Sequence, residues 1–287
     1  MRILWFALVL ALPATGTMGR DLPLAISADP PRDAVHPARM EVLHVPSGGV
    51  AINGVAYLAA GAGPHPTLVI AHGWPGNEKN LDLAQAVRRA GWNAVTFNYR
   101  GSWGSPGGFR FAHVPEDAAA VIAHARRSDI AAKLGIDPAR IVIGGHSMGG
   151  WATAMAASKD PALKGAIMIS MANMGAVGSI ARADLVALSA DSAETLAGTS
   201  PEQMADELAT NSAAFNALAG APGLARLPLL VLTSEDGLAP QAGALVDAVR
   251  KAGGKRVSTG HAATDHSWSD SRIEQQRQVI EWLQALK

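Results

Sequence analysis

The sequence predicts an α/β domain with a mostly parallel sheet covered by helices on both faces. Three observations carry this. Short apolar runs without alternation, such as Thr67–Ala71, Ala94–Phe97, Ile141–Ile143, Ala166–Ile169 and Leu229–Leu232, read as strands buried on both sides. Stretches with helical periodicity separate them. Hydrophobic residues make up 48% of the chain and charged residues only 17%, which suits a large core and excludes disorder.

The elements follow in order. Met40–Val45 and Val50–Leu58 flank Ser47-Gly48-Gly49 and predict a hairpin. Thr67–Ala71 is the third strand. Asn80–Ala90 is a helix that Gly91 ends, and Ala94–Phe97 is the fourth strand. Pro115–Leu134 reads as one long helix stopped by Gly135. Ile141–Ile143 is a strand, Met148–Ser158 a helix and Ala166–Ile169 a strand. Residues 172–226 break the rhythm: they are Ala-rich, helical in pattern and acidic in the middle, and read as a helical insertion after the sixth strand. Leu229–Leu232, Pro240–Ala252, Arg256–Thr259 and Arg272–Leu286 complete the alternation as strand, helix, strand and helix. One domain over 40–287 results.

The N-terminus is of another kind. Met1-Arg2 is followed by the apolar run Ile3–Leu12, then Pro13 and small residues. This is the layout of a secretory signal peptide, here residues 1–19, with cleavage contexts at Ala14-x-Gly16 and Thr17-x-Gly19. Ten helical residues rise about 15 Å, half a bilayer core, so the run is too short to span. Residues 20–39, with Pro23, Pro30, Pro31 and Pro37, read as an extended leader. The expectation is an exported protein, periplasmic or secreted, with no stable membrane span after maturation. The mean hydropathy of +0.13 then has its source in the export segment and the buried strands.

Composition narrows the function. With 24 Lys+Arg against 24 Asp+Glu and no basic cluster, nucleic acid is not an expected partner. With no Cys, disulfides, thiolate metal sites and a Cys nucleophile are excluded. No HExxH, EF-hand loop or His pair at zinc spacing occurs, so no metal or other cofactor is expected. His36, His44, His65, His113 and His124 have no supporting context.

In an open parallel sheet, ligands bind beyond the C-terminal strand ends, so the residues there matter most. Ile141–Ile143 leads into Gly145-His146-Ser147-Met148-Gly149, the pattern of a nucleophile elbow between strand and helix. It is not a phosphate loop, because Gly150-Trp151 stands where Gly-Lys-Ser/Thr is required. A Ser nucleophile needs a base and an acid, which the elbow fold takes later in the chain. Asp236 is the expected acid, with Glu235 its competitor. His266 is the expected base, with His261 its competitor. The oxyanion donors are expected to be the N–H groups of Met148 and, from the loop His72-Gly73-Trp74-Pro75-Gly76, of Trp74, with Gly73 the second candidate; Pro75 has no N–H. His72 reads as a structural hydrogen-bonder. Arg100, in the Gly-rich stretch 98–109, has two readings, pairing with a carboxylate or stapling the loop, and the structural one is preferred.

His72-Gly73-Trp74-Pro75-Gly76, Asn98-Tyr99-Arg100-Gly101-Ser102, Gly145-His146-Ser147-Met148-Gly149 and Asp265-His266-Ser267-Trp268 together resemble the α/β-hydrolase superfamily over residues 40–287. Within it the chain is similar to the branch of dienelactone-hydrolase-like proteins, serine aminopeptidases and prolyl-oligopeptidase-type peptidases. The resemblance implies a Ser147–Asp236–His266 triad, Trp74 and Met148 as oxyanion donors, and 172–226 as a cap over the site. Two departures stand out. A dienelactone hydrolase proper uses a Cys nucleophile, and a prolyl oligopeptidase has a β-propeller ahead of the domain; neither occurs here. The implied activity is hydrolysis of a small-molecule carboxylic ester through an acyl-enzyme. The alternatives are a serine peptidase or amidase and, more remotely, a non-catalytic ligand-binding protein.

Overall fold

The computed structural model describes residues 22–286. The expected signal peptide, 1–19, and the start of the leader lie outside the described residues. The rest of the leader carries one helical turn, α1 (Leu24–Ser27), and is otherwise irregular.

The domain opens with the hairpin β1 (Arg39–Ser47) and β2 (Val50–Leu58). Ser47 pairs with Val50, so the turn is Gly48-Gly49, with φ of 55° and 85°. A two-residue turn of this kind needs positive φ at both positions, which glycine adopts without strain. β3 (His65–Ala71), α2 (Leu81–Arg89) and β4 (Asn93–Phe97) follow. Then come α3 (His113–Arg126), α4 (Ser128–Leu134), β5 (Ile136–His146), α5 (Met148–Ala157) and β6 (Gly165–Ile169). Between β6 and β7 (Leu229–Ser234) lie α6 (Met174–Val177), α7 (Arg182–Ala190), α8 (Pro201–Asn211), a 3-10 turn and α9 (Ala221–Leu224). α10 (Ala239–Lys251), β8 (Val257–Ala262) and α11 (Arg272–Ala285) close the chain.

The eight strands form one sheet in the order β1-β2-β4-β3-β5-β6-β7-β8. β2 is antiparallel to both its neighbours, and β4 through β8 run parallel. Two cores explain why the strands read as unbroken apolar runs. Val69, Ile141, Ile143, Met168 and Val231 face the core under α3, α5 and α10. Leu68, Val142, Ile167, Leu230 and Leu232 face the other core, under α2 and α11. Both faces of these central strands are therefore dry, whereas the edge strands β1 and β8 keep exposed positions.

The expected helix over 115–134 is two helices. Arg127 has φ −60° and ψ 134°, which breaks the run. The cause is local: Ser128-Asp129 open a second helix, with Asp129 in its first turn and bonded to the Arg127 guanidinium at 2.7 Å. Gly135, with φ 63°, ends α4 as expected.

The connection from β3 runs one way across the sheet to β4, and the one from β5 runs the other way to β6. The crevice beyond β3 and β5 is thus the topological switch point, where this class of sheet binds ligands. Among the described residues, no helix is long and apolar enough to cross a membrane.

Candidate active site

Ser147 sits at the switch point, between the end of β5 and the start of α5, with φ 56° and ψ −123°. A non-glycine residue in that region is strained and persists only where its surroundings enforce it. Its N–H donates to Ile169 O at 2.9 Å, and its carbonyl accepts from Gly150 N at 2.9 Å and Ala172 N at 3.2 Å. The flanking glycines are required by space. A Cβ on Gly145 would stand 2.2 Å from Gly149 O, and one on Gly149 would stand 2.0 Å from Ala71 O.

The loop after β3 lies against this turn. A Cβ on Gly73 would fall 3.0 Å from Ser147 Cβ. The Trp74 ring meets Phe111 edge-on at 5.0 Å, and Trp103 Nε1 donates to Pro75 O at 2.8 Å. These contacts hold the backbone of 73–75 in place. Among the described residues, neither the Trp74 N–H nor the Met148 N–H donates to a protein acceptor.

Asp236 and His266 come together from the loops after β7 and β8. His266 Nδ1 is 2.7 Å from Asp236 Oδ2. The other carboxylate oxygen accepts Leu238 N at 2.9 Å. Burial pushes the Asp236 pKa up, but hydrogen bonds from His266 and the Leu238 N–H help hold the carboxyl below its ordinary value. The Asp236 side chain is only 2% exposed and that of His266 is 39% exposed, so the acid is sheltered while the imidazole reaches solvent. The competitors lie elsewhere. Glu235 is exposed, and His261 turns its Nδ1 to Thr233 Oγ1 at 3.0 Å.

One residue that reasoning from sequence passed over also belongs to the site. His146, adjacent to Ser147, lies 2.7 Å through Nε2 from the carbonyl oxygen of His266, and the two rings are 4.5 Å apart. Burial, reinforced by the nearby His266, pushes the His146 pKa down to about 4, so it is neutral at pH 7 and donates its Nε2–H to that carbonyl. It ties the loop of His266 to the strand end that carries Ser147. The only sequence signal is its place inside the elbow motif.

His72 is structural. It is buried, which pushes its pKa down to about 4, and its Nδ1 bonds Gly73 O at 2.7 Å. Arg100 staples its loop: its Nε donates to the buried Asp117 at 2.6 Å and its Nη2 to Glu116 at 2.6 Å. The same loop holds the segment between α7 and α8. Ala197 N donates to Gly101 O at 2.7 Å and Phe109 N to Ala197 O at 2.9 Å. Among the described residues, no group of three or more His, Asp and Glu side chains converges to hold a metal.

Known proteins share this architecture. A thermophilic, thermostable carboxylesterase from a metagenomic library superposes with a TM-score of 0.67 at 22% identity, covering 88% of this chain and 91% of the other. The acylaminoacyl peptidase of Pyrococcus horikoshii gives 0.66 at 18% identity, covering 87% of this chain and 41% of the peptidase. An uncharacterised protein of Mycobacterium tuberculosis is 28% identical over 152 residues, 52% of each chain. The chain therefore spans about half the length of the curated relatives it matches. The profile of the alpha/beta hydrolase family matches residues 68–281, from β3 into α11, and takes in the switch point with both loops that carry Asp236 and His266. The chain belongs to the alpha/beta hydrolase family.

Proposed function

We propose that this hydrolase cleaves carboxylic esters through an acyl-enzyme on Ser147. His266 takes the Ser147 proton as Oγ bonds to the ester carbonyl carbon. Asp236 holds the imidazole in the tautomer that leaves Nε2 free to accept that proton and stabilises the imidazolium that forms. The Trp74 and Met148 N–H groups stabilise the oxyanion, where one donor is worth about 10²–10³ in rate. The alcohol leaves with the proton from His266. Water then adds to the acyl carbon, giving its proton to His266, and the acid departs as Ser147 regains a proton. Residues 172–226 act as the cap that limits which substrates reach Ser147.

The observation that carries this reading is the 2.7 Å Asp236–His266 pair, whose base is tied through its carbonyl to the residue before Ser147. The strained, glycine-flanked backbone of Ser147 supports it. Ser147 with no Cys in the chain argues against the cysteine-dependent reaction of the dienelactone hydrolases.

A second reading, a serine peptidase or amidase with the same residues, draws on the likeness to the acylaminoacyl peptidase and to a puromycin-hydrolysing peptidase of Mycobacterium tuberculosis. The test is a panel of p-nitrophenyl esters and aminoacyl-anilides. We expect short-chain ester turnover with little anilide cleavage. Anilide cleavage at comparable kcat/KM would replace the ester reading by the peptidase one. The export expectation for residues 1–19 is tested by the N-terminal sequence of the mature protein, expected to begin after Gly16 or Gly19.

A further inference from the structure

The loop 72–76, which carries the Trp74 N–H, is anchored twice from one connection, the stretch 98–112 between β4 and α3. Trp103 donates its indole N–H to Pro75 O at 2.8 Å, and the Phe111 ring meets the Trp74 ring edge-on at 5.0 Å. Lys79 places its ammonium 4.0 Å from the centre of the Trp103 ring and donates to Asn98 Oδ1 at 3.1 Å. The short segment 75–79 thus holds the indole at its N–H edge and over its face. The approach is close: a Cβ on Gly76 would stand 2.7 Å from Trp103 Nε1 and 2.6 Å from His72 Nδ1.

The same connection seats the proposed cap. Residues 195–197 run antiparallel to 101–103: Ser102 pairs with Leu196, Ala197 N donates to Gly101 O at 2.7 Å and Trp103 N donates to Thr195 O at 3.1 Å. Phe109 N donates to Ala197 O at 2.9 Å, Arg110 Nη1 to Gly198 O at 2.7 Å and Ala112 N to Glu207 Oε1, on α8, at 2.8 Å. Cap contacts and loop anchors therefore interleave along one stretch of chain, and Trp103 makes both.

Every polar group of Trp103 is engaged. Its backbone N–H goes to the cap, its indole N–H to the loop after β3, and its carbonyl accepts from Asn98 Nδ2 at 3.2 Å. Its φ is 49°, in the left-handed region that favours glycine, so these bonds hold a strained backbone in place. The residue is 37% exposed, so its position depends on these bonds more than on burial. A residue bonded to both elements passes a shift of one to the other.

We infer that Trp103 is a positioning residue that couples the cap to the oxyanion hole. With residues 195–198 seated on the connection, its indole N–H holds the loop after β3 where the Trp74 N–H meets the developing oxyanion. The inference rests on the reading that Ser147 forms the acyl-enzyme and that Trp74 supplies an oxyanion donor. Loosening the cap segment then slows the chemical step without weakening substrate binding, because the oxyanion forms only on the way through the transition state.

The test measures kcat and KM on p-nitrophenyl acetate, and the inhibition constant of a trifluoromethyl ketone, for wild type, Trp103→Phe, Arg110→Ala, their double variant and Ser147→Ala. With the ketone, Ser147 Oγ adds to the carbonyl carbon, its proton passes to His266, and the carbonyl oxygen becomes an oxyanion in the hole. Trp103→Phe keeps a ring beneath Lys79 and removes the indole N–H. It is expected to lower kcat about 3–10-fold, the worth of one neutral hydrogen bond, with KM unchanged and the inhibition constant raised by the same factor. Arg110→Ala frees Gly198 O and is expected to move kcat and the inhibition constant in the same directions. The double variant is expected to lose no more than Trp103→Phe alone, because both act through the bond to Pro75. A smaller folded fraction lowers kcat but leaves the inhibition constant in place. An unmoved inhibition constant in Trp103→Phe, wild-type kcat in Arg110→Ala, or losses that multiply in the double variant would overturn the coupling while leaving the triad intact. Turnover retained in Ser147→Ala would instead overturn the acyl-enzyme reading on which the coupling rests.

Discussion

At the scale of single residues, the distinction between two histidines is the sharpest. His266 is bonded to a sheltered carboxylate, and His261 is exposed and turned to Thr233. His266→Ala is expected to lower kcat by about 10²–10⁴, the usual contribution of a general base, and His261→Ala to leave it near wild type. Steady-state kinetics on one p-nitrophenyl ester decides it, and a larger loss from His261→Ala would reverse the assignment. Ser147 was legible in the sequence because its motif sits between a strand and a helix, and only glycine fits at 145 and 149. Asp236 and His266 were legible as residues that follow strands. The choice against Glu235 and His261 needs their side-chain directions, which spacing does not encode. His146 was not legible, because its role arises from a contact between strand ends far apart in the chain.

At the scale of elements, one ion pair organises the loop after β4. Asp117, on α3, is fully buried and accepts from Arg100 Nε, Arg100 N and Ser47 Oγ. It joins the hairpin, the loop and α3. A Cβ on Gly48 would stand 2.0 Å from the Arg100 guanidinium, so the hairpin turn closes over the same group. Removing the acid strands a guanidinium in the interior, which typically costs about 3–5 kcal/mol. Asp117→Ala is therefore expected to lower the unfolding free energy, measured by urea titration, by that amount. A change under about 1 kcal/mol would mean that Glu116 alone suffices for Arg100. The loop's Gly content predicted its tightness, and Arg100 was readable as a staple, but not its partner. The break between α3 and α4 was hidden because Ser128-Asp129 fall inside an otherwise continuous helical period, and only the extended backbone of Arg127 reveals it.

At the scale of the whole molecule, the sheet divides the apolar side chains into two cores, and this is why strand positions could be read from short apolar runs. The same burial sets a pH dependence of stability. His72 and His146 both have pKa values lowered from 6.5 to about 4, chiefly by burial. Between those values the unfolded chain binds protons that the folded chain does not. Folding stability from these groups is thus full above about pH 6.5 and falls as pH drops toward 4, by about 3 kcal/mol for each. Urea unfolding at pH 7, 6, 5 and 4.5 is expected to show the midpoint falling. The fall should flatten in the His72→Gln, His146→Gln double variant. An equal fall in that variant would contradict the account of these two groups.

The central claim is that Ser147 carries the acyl group. Intact-mass measurement after reaction with a fluorophosphonate tests it most directly. The wild-type protein is expected to gain one phosphonyl group per chain, and Ser147→Ala none. A wild-type protein that stays unlabelled, or a Ser147→Ala protein that labels like wild type, would contradict it.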